Sequence, residues 1–262
     1  MKKILYTAAE CAPFIKTGGL GTVVGSVPKV LCERGYDVRV VLPAYECIAR
    51  EWKDKMKKIM EFPVSLGWRL QPAALYELQY NGVIHYFIGN SFYFSGSNPY
   101  ADPWLDIEKF SFFAKAVLEL LSYLPYEPEI IHCHDWHTGL LPVYLKTQYG
   151  NDPFYQKIKT VMTIHNLKFQ GMTEMGHMKD VTGLSDDLFT YNKLEFHGSG
   201  NVLKGGLEFA DKITTVSNTY AHEIMQPEYG EGLDSLIKYR EKDVIGIVNG
   251  IDMQVYNPSG DP

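Results

Sequence analysis

Six consecutive residues, His132-Cys133-His134-Asp135-Trp136-His137, place three imidazoles, a thiol, a carboxylate and an indole straight after the apolar pair Ile130-Ile131. Imidazole and thiolate are zinc ligands, so a metal-dependent hydrolase built on His132, His134, Asp135 and His137 is one chemistry to weigh. An extended strand sends alternate side chains to opposite faces, so the six do not all converge. No second cluster at HxxxH or CxxC spacing accompanies them. The competing reading is a polar strand end lining a sugar site: carboxylate and imidazole hydrogen-bond hydroxyls, and Trp136 offers a flat face to a sugar ring. A second run, Lys16-Thr17-Gly18-Gly19-Leu20, has two glycines that allow a backbone to approach a phosphate, with Lys16 as a point charge. It is neither GxxxxGK[ST] nor GxGxxG, and a tight turn explains such a glycine pair as well. His165-Asn166-Leu167, then Phe169-Gln170-Gly171, and finally Asn249-Gly250-Ile251-Asp252 complete the polar runs. Their plain alternatives are a structural histidine and an Asn-Gly turn.

Each run follows a stretch that reads as a strand. Residues 2–9 are β-prone and enter a loop containing Pro13 and Gly18-Gly19. Residues 20–34 carry Leu20, Val23, Val24, Val27, Val30 and Leu31 at helical spacing, with Pro28 either kinking that helix or marking an early turn. Gly35 ends it, and residues 37–42 read as the next strand, giving a βαβ unit. Asn81-Gly82 between residues 74–79 and 83–88 signals a hairpin at one side of the sheet. Residues 106–124 form a helix with Asp106 as its expected cap and Pro125 as its stop. Strands follow at 129–133, 159–164, 212–216 and 244–248, with a helix over 138–148. The stretch 166–199 shows weak periodicity and reads as a long irregular segment, either functional or a mis-assigned element. In open α/β sheets ligands bind at the carboxyl ends of the strands, which is where the polar runs fall.

The 262 residues, 45% hydrophobic and 21% charged, suit one large folded domain. A net charge of −6 with no basic block excludes a nucleic-acid footprint, and the densest basic stretch, Lys53 to Lys58, reads as a solvated helix face. Cys11, Cys32, Cys47 and Cys133 are scattered and form no CxxC pair, which fits a reducing compartment. The start Met1-Lys2-Lys3-Ile4-Leu5-Tyr6 is too short an apolar run for an export signal, Glu10 interrupting it. No stretch approaches the roughly 18 apolar residues of a membrane span. A cytoplasmic protein without nucleic-acid or membrane partners is the expectation.

Lys16-Thr-Gly-Gly-Leu20, His134-Asp-Trp-His137, Thr163-Ile-His-Asn-Leu167 with Gln170-Gly171, Leu203-Lys-Gly-Gly-Leu207 with Ala210-Asp211, and Asn249-Gly-Ile-Asp252 occur in this order along nearly the whole chain. Together they resemble the glycogen and starch synthases, glycosyltransferases that extend α-1,4-glucan from a nucleotide sugar. Each stretch alone is weak; five in family order are specific. The resemblance implies an α/β fold, a doubly wound Rossmann-like parallel sheet with a β-hairpin extension, like the N-terminal half of a GT-B glycosyltransferase. Residues 1–252 would be the acceptor-side catalytic domain and 253–262 the start of an interdomain linker. The second Rossmann-like domain, a partner within the same enzyme and the source of most of the nucleotide grip, would be needed for full activity.

Residue by residue, the resemblance gives His165, Asp135 and Lys16 catalytic roles and sets Lys16, Gly18 and Gly19 on the donor diphosphate. Glu10, Thr22, His134, Trp136, Asn166, Gln170 and Asn249 would line the sugar and acceptor site. It implies retention of configuration, no cofactor and no metal, and favours ADP-glucose over UDP-glucose as donor. Where the family's glycine loop usually continues with Asp, this chain has Thr22, and Phe92-Tyr93-Phe94-Ser95-Gly96 lacks an expected basic residue. These departures imply altered specificity or reduced activity, and Thr22 together with the absent partner domain motivates the alternative of a non-catalytic glucan-binding or regulatory module that keeps the acceptor wall.

Overall fold

The computed structural model describes residues 1–250; Ile251, Asp252 and the expected linker at 253–262 lie outside the described residues. The first βαβ unit is β1 (Lys3–Thr7), α1 (Gly19–Glu33) and β2 (Asp37–Pro43), with Pro28 buried inside α1. A short α2 (Arg50–Lys53) leads to β3 (Lys57–Leu66), β4 (Arg69–Tyr80) and β5 (Val83–Gly89). Next come α3 (Pro103–Leu121), β6 (Ile130–His134), α4 (Leu140–Thr147), α5 (Pro153–Gln156) and β7 (Lys159–Ile164). The segment beyond holds β8 (Met172–Glu174), α6 (Met175–Thr182), β9 (Glu195–Phe196) and β10 (Ser199–Asn201). The last elements are α7 (Val202–Phe209), β11 (Lys212–Thr215), α8 (Asn218–Glu223), α9 (Asp234–Tyr239) and β12 (Val244–Gly246).

Nine strands form one sheet in the order β12-β11-β7-β6-β1-β2-β5-β4-β3. All neighbours are parallel except β5-β4 and β4-β3. Strands β1, β2, β6 and β7 bury Leu5, Val40, Val41, Ile131, Met162 and Ile164 at its centre. The chain runs from β1 outward to β2 and later returns to β6 on the other side of β1. The crevice between the carboxyl ends of β1 and β6 is therefore the topological switch point, where an open α/β sheet takes its ligand. Helix α3 is buried almost all round, with Phe110, Phe112 and Phe113 each at most 2% exposed, as expected for a helix without a polar face. Among the described residues, no helix is long and apolar enough to cross a membrane.

Four local expectations are corrected. Asp102, not Asp106, caps α3: its carboxylate accepts from the amides of Trp104 at 2.8 Å and Leu105 at 3.2 Å, with Pro103 at the first helical position. Helix α3 ends at Leu121, short of Pro125. Lys53 closes α2, whereas Lys57 and Lys58 open β3, an edge strand in which Phe62, Val64 and Leu66 are buried and Glu61, Pro63 and Ser65 exposed. Pro63 disguises that alternation, and an edge is where proline and lysine are tolerated in a sheet. The hairpin, by contrast, lies at one side of the sheet as expected: β5 pairs in parallel with β2, and β4 and β3 extend the main sheet from it to its edge. Finally, the stretch 166–199 is structured by α6 and a small antiparallel sheet of order β8-β10-β9.

Candidate active site

At the switch point the chain leaves a cleft of about 790 Å³. Glu10 and Thr17 to Leu20 reach it from beyond β1, Asp135 to His137 from beyond β6, and His165, Asn166 and Lys168 to Met172 from beyond β7. Val216 and Asn249 border it from the ends of β11 and β12, and Tyr100, Pro103 and Asp106 from the start of α3.

The glycine loop is held from beneath by Glu10, which is 4% exposed. Its carboxylate accepts from the Thr17 amide at 2.5 Å, the Thr17 hydroxyl at 2.6 Å, the Gly18 amide at 3.2 Å and the Tyr100 hydroxyl at 2.7 Å. Glu10 thus borders the cleft, but its oxygens are committed to the loop. Gly18 is the N-cap of α1 without a side-chain cap, and the first turn carries no acidic residue. A Cβ added at Gly18 or Gly19 would meet nothing within 4 Å, so these glycines face open space. A helix start of this kind favours an anion by about 0.3–1 kcal/mol at an exposed site. Lys16 is exposed in the same loop and Thr22 half-buried one turn on; neither is among the residues that line the cleft.

Asp135 joins the ends of β6 and β7. Its Oδ1 accepts from the His165 amide at 2.7 Å and the Asn166 amide at 3.4 Å, and its own amide donates to Thr163 O at 2.9 Å. Its backbone sits at φ 55 and ψ −179, a region that costs a non-glycine residue on the order of 1–3 kcal/mol. Burial raises its carboxyl from 3.8 to about 7, against the lowering effect of the two amides. Behind it lies a row of rings: His132 stacks on His134 at 4.3 Å, and His134 Nδ1 meets His165 Nε2 at 2.9 Å. Burial lowers His165 to about 4 and His132 to about 3, and holds His134 well below its usual value. All three rings are neutral at pH 7, so in the His134–His165 bond one nitrogen donates and the other accepts. His134 is 1% exposed and backs His165 rather than reaching the cleft itself.

Gln170 is similarly occupied. Its amide donates to Leu167 O and Glu231 O, and its carbonyl accepts from Asn201 at 2.6 Å, tying the loop after β7 to the N-cap of α7. Gly171 has φ +62, and a Cβ there would fall 2.2 Å from Trp136 Cε3. Gly171→Ala is therefore expected to push the indole out of place and cost about 2–4 kcal/mol, the sum of overpacking and left-handed strain. A thermal melt should fall by roughly 5–10 °C with a shifted tryptophan emission. A midpoint and emission both unchanged would show that the ring is not seated against this glycine.

Nine of the expected residues thus share the cleft, Glu10, Gly18, Gly19, Asp135, Trp136, His165, Asn166, Gln170 and Asn249, whereas Lys16, Thr22 and His134 do not line it. Not assigned to the site beforehand were Tyr100, Asp106, His137, Lys168 and Met172, and Phe169 enters with the run in which the sequence placed it. His137 sits in the motif already noted, its ring against Phe110 and Tyr100 and its Nδ1 without a partner among the described residues. The hydrolase reading needs His132, His134, Asp135 and His137 to converge. Among the described residues no group of three or more histidine, cysteine or acidic side chains is placed to hold a metal ion.

Residues 3–239 match the family model described as the starch synthase catalytic domain. The chain is 53% identical to a glycogen synthase of Lachnoclostridium phytofermentans over 262 residues, covering 100% of this chain and 55% of that protein. It is 49% identical to one of Geobacillus stearothermophilus, covering 99% and 53%, and 45% identical to one of Bacillus subtilis, covering 99% and 54%. Among solved structures it resembles the catalytic domain of Starch Synthase IV from Arabidopsis thaliana bound to ADP and acarbose, with a TM-score of 0.91 and 31% identity, over 100% of this chain and 54% of that one. The chain spans about half the length of the curated relatives it matches.

Proposed function

The chain belongs to the starch synthase catalytic domain family, and from that premise we propose that it is the acceptor-side half of a glycogen-forming glucosyltransferase. It would move glucose from a nucleotide sugar to the non-reducing end of an α-1,4-glucan with retention of configuration. One observation carries this reading: an uncapped helix start, a strained carboxylate, a neutral histidine and an indole meet in a single cleft at the sheet's switch point. ADP-glucose is the donor we favour over UDP-glucose, in keeping with the ADP on the Arabidopsis structure. A second Rossmann-like domain would close over the cleft and grip the nucleotide. The cytoplasm is the expected setting, consistent with four cysteines that are all free.

In this scheme the α1 start with Gly18 and Gly19, and Lys16 from the same loop, face the diphosphate, where negative charge grows as the glycosidic bond breaks. Contacts that strengthen with that charge speed the step. His165 faces the reacting sugar as a neutral hydrogen-bonding ring, so it places no positive charge against an oxocarbenium-like centre. Asp135 supplies negative charge beside the same centre and orients the His165 backbone. Trp136, Asn166 and Asn249 shape the sugar site. Thr22 lies outside the cleft lining, so its lack of a carboxylate does not alter the cleft wall itself.

The test is transfer of radiolabelled glucose to maltooligosaccharide by the chain completed with its second domain. Lys16→Ala is expected to cut turnover at least tenfold, and ADP-glucose to outperform UDP-glucose. Unchanged turnover would remove Lys16 from the diphosphate site, and no transfer with either donor would remove the enzymatic reading.

A further inference from the structure

Two exposed tryptophans outside the cleft are held in place by three elements distant in sequence. Trp104, in the first turn of α3, is 46% exposed, and its ring lies on that of His177 in α6 with centroids 3.6 Å apart and planes 19° off parallel. His177 Nε2 donates to Trp104 O at 3.1 Å. Trp68, in the turn between β3 and β4, is 79% exposed. Its indole nitrogen donates to Asp180 Oδ1 at 3.0 Å, and the Arg69 guanidinium lies 4.4 Å above its ring. His177 and Asp180 are three residues apart on α6 and share one face. The circuit closes through Arg69, which pairs with Asp180 at 2.6 Å and with Glu108 of α3 at 3.1 Å. Glu108 stands one turn from Trp104.

Large rings left in water with their planes fixed by a stacked histidine, in Trp104, and by an indole hydrogen bond and a guanidinium, in Trp68, are a prepared surface rather than loose side chains. Ring faces carry partial negative charge and attract the polarised C–H face of a sugar. The neighbouring charge is mainly acidic, from Asp102, Glu108 and Asp180, which argues against a phosphate-bearing partner. The surface is continuous with the cleft: Pro103, adjoining Trp104, lines it, as does Met172 just ahead of α6. A cleft of about 790 Å³ holds only a few sugar units, so a polymeric acceptor must leave across the rim.

We propose that Trp104 and Trp68 form an outer platform for the α-1,4-glucan chain as it emerges from the cleft. This rests on the glucan reading of the cleft. The test is retention in glycogen-containing gels, with titrations by maltotriose and maltoheptaose, on the unaltered chain, Trp68→Ala/Trp104→Ala, Trp68→Ala alone and His165→Ala. The double substitution is expected to lower glycogen retention and maltoheptaose affinity at least tenfold while maltotriose affinity stays within twofold. Trp68→Ala alone, at the more exposed ring, should show a partial loss with an unchanged melting midpoint. Full retention by the double variant overturns the platform, as does an equal loss for both oligosaccharides or an unaltered chain that glycogen does not retain. Tryptophan-dependent retention without maltotriose binding or any effect of His165→Ala supports the platform and overturns the cleft reading. The opposite pattern keeps the cleft and removes the platform.

Discussion

Asp135→Asn is expected to reduce glucosyl transfer by the completed enzyme at least a hundredfold while making the chain more stable at alkaline pH. Both effects follow from one carboxyl group. Its folded value of about 7 stands above the 3.8 of an ordinary aspartate, with burial as the leading cause. A raised acid contributes stability that is present below about pH 4 and lost as the pH climbs to about 7, where the fold must carry a buried negative charge. Asparagine retains an oxygen for the His165 and Asn166 amides and never ionises. At pH 8 the substitution should therefore gain roughly 4 kcal/mol relative to the parent, about three pKa units at 1.36 each, and at pH 4 close to nothing. Transfer should suffer because the charge that faces the developing sugar cation is gone, a loss of the size seen when one electrostatic group is removed from an active site.

Activity and melting measured together between pH 6 and 8.5 check this. The parent's rate should rise through about pH 7 as Asp135 ionises, and the Asp135→Asn variant should lack that limb. Asp135→Gly separates the roles further. It relieves the φ 55 strain, worth on the order of 1–3 kcal/mol, but leaves the His165 amide without its acceptor at a comparable cost. Stability near the parent's with transfer abolished would fit a residue kept for chemistry. A rate within tenfold of the parent for Asp135→Asn, or an identical pH limb, would remove Asp135 from the reacting centre.

Residues at the strand ends were readable because an open parallel sheet sends its polar residues there. Asp135, His165 and Asn249 each follow a short apolar run, and topology alone brings those runs side by side. Tyr100 was not readable, since an aromatic in a loop carries no sign of which cavity it will face. Glu10 illustrates the reverse case: a buried carboxylate beside a cleft reads as a ligand contact, yet four donors from its own loop and from Tyr100 claim it. Strand β3 was hidden by Pro63 and by lysines at its start, both tolerated only because it forms the edge. The β8-β10-β9 sheet has strands of two or three residues, too short for any periodicity to register. The Asp102 cap, by contrast, had a signal in Asp-Pro at the helix start that the longer apolar pattern from Asp106 onward outweighed.

Acidification is expected to unfold the chain between about pH 5.5 and 3.5, and the histidines are the reason. Burial depresses five of them: His85 and His165 to about 4, His132 and His137 to about 3, and His134 well below its usual value. A depressed histidine stabilises the fold fully above its unfolded value near 6.5, and that contribution is lost as the pH falls toward the folded value. Near pH 5.5 the unfolded chain thus binds about five histidine protons that the fold refuses, while the folded chain keeps one on Asp135 that the unfolded chain releases. A difference of about four protons gives a slope of about 5 kcal/mol per pH unit. Domains have only about 5–15 kcal/mol in total, so about one to three units below 6.5 suffice. The site fails in the same range, because protonating His165 and His134 makes donors of all four nitrogens and breaks the 2.9 Å bond between the rings. Urea midpoints at pH 7.5, 6.5, 5.5 and 5.0 measure the slope. His85→Leu, remote from the cleft and packed against Phe14, should lower it by about 1.4 kcal/mol per pH unit without altering its direction. Midpoints that stay level from pH 7 to 5 would mean that these rings are already charged in the fold, and the neutral His165 on which the sugar site depends would have to be given up.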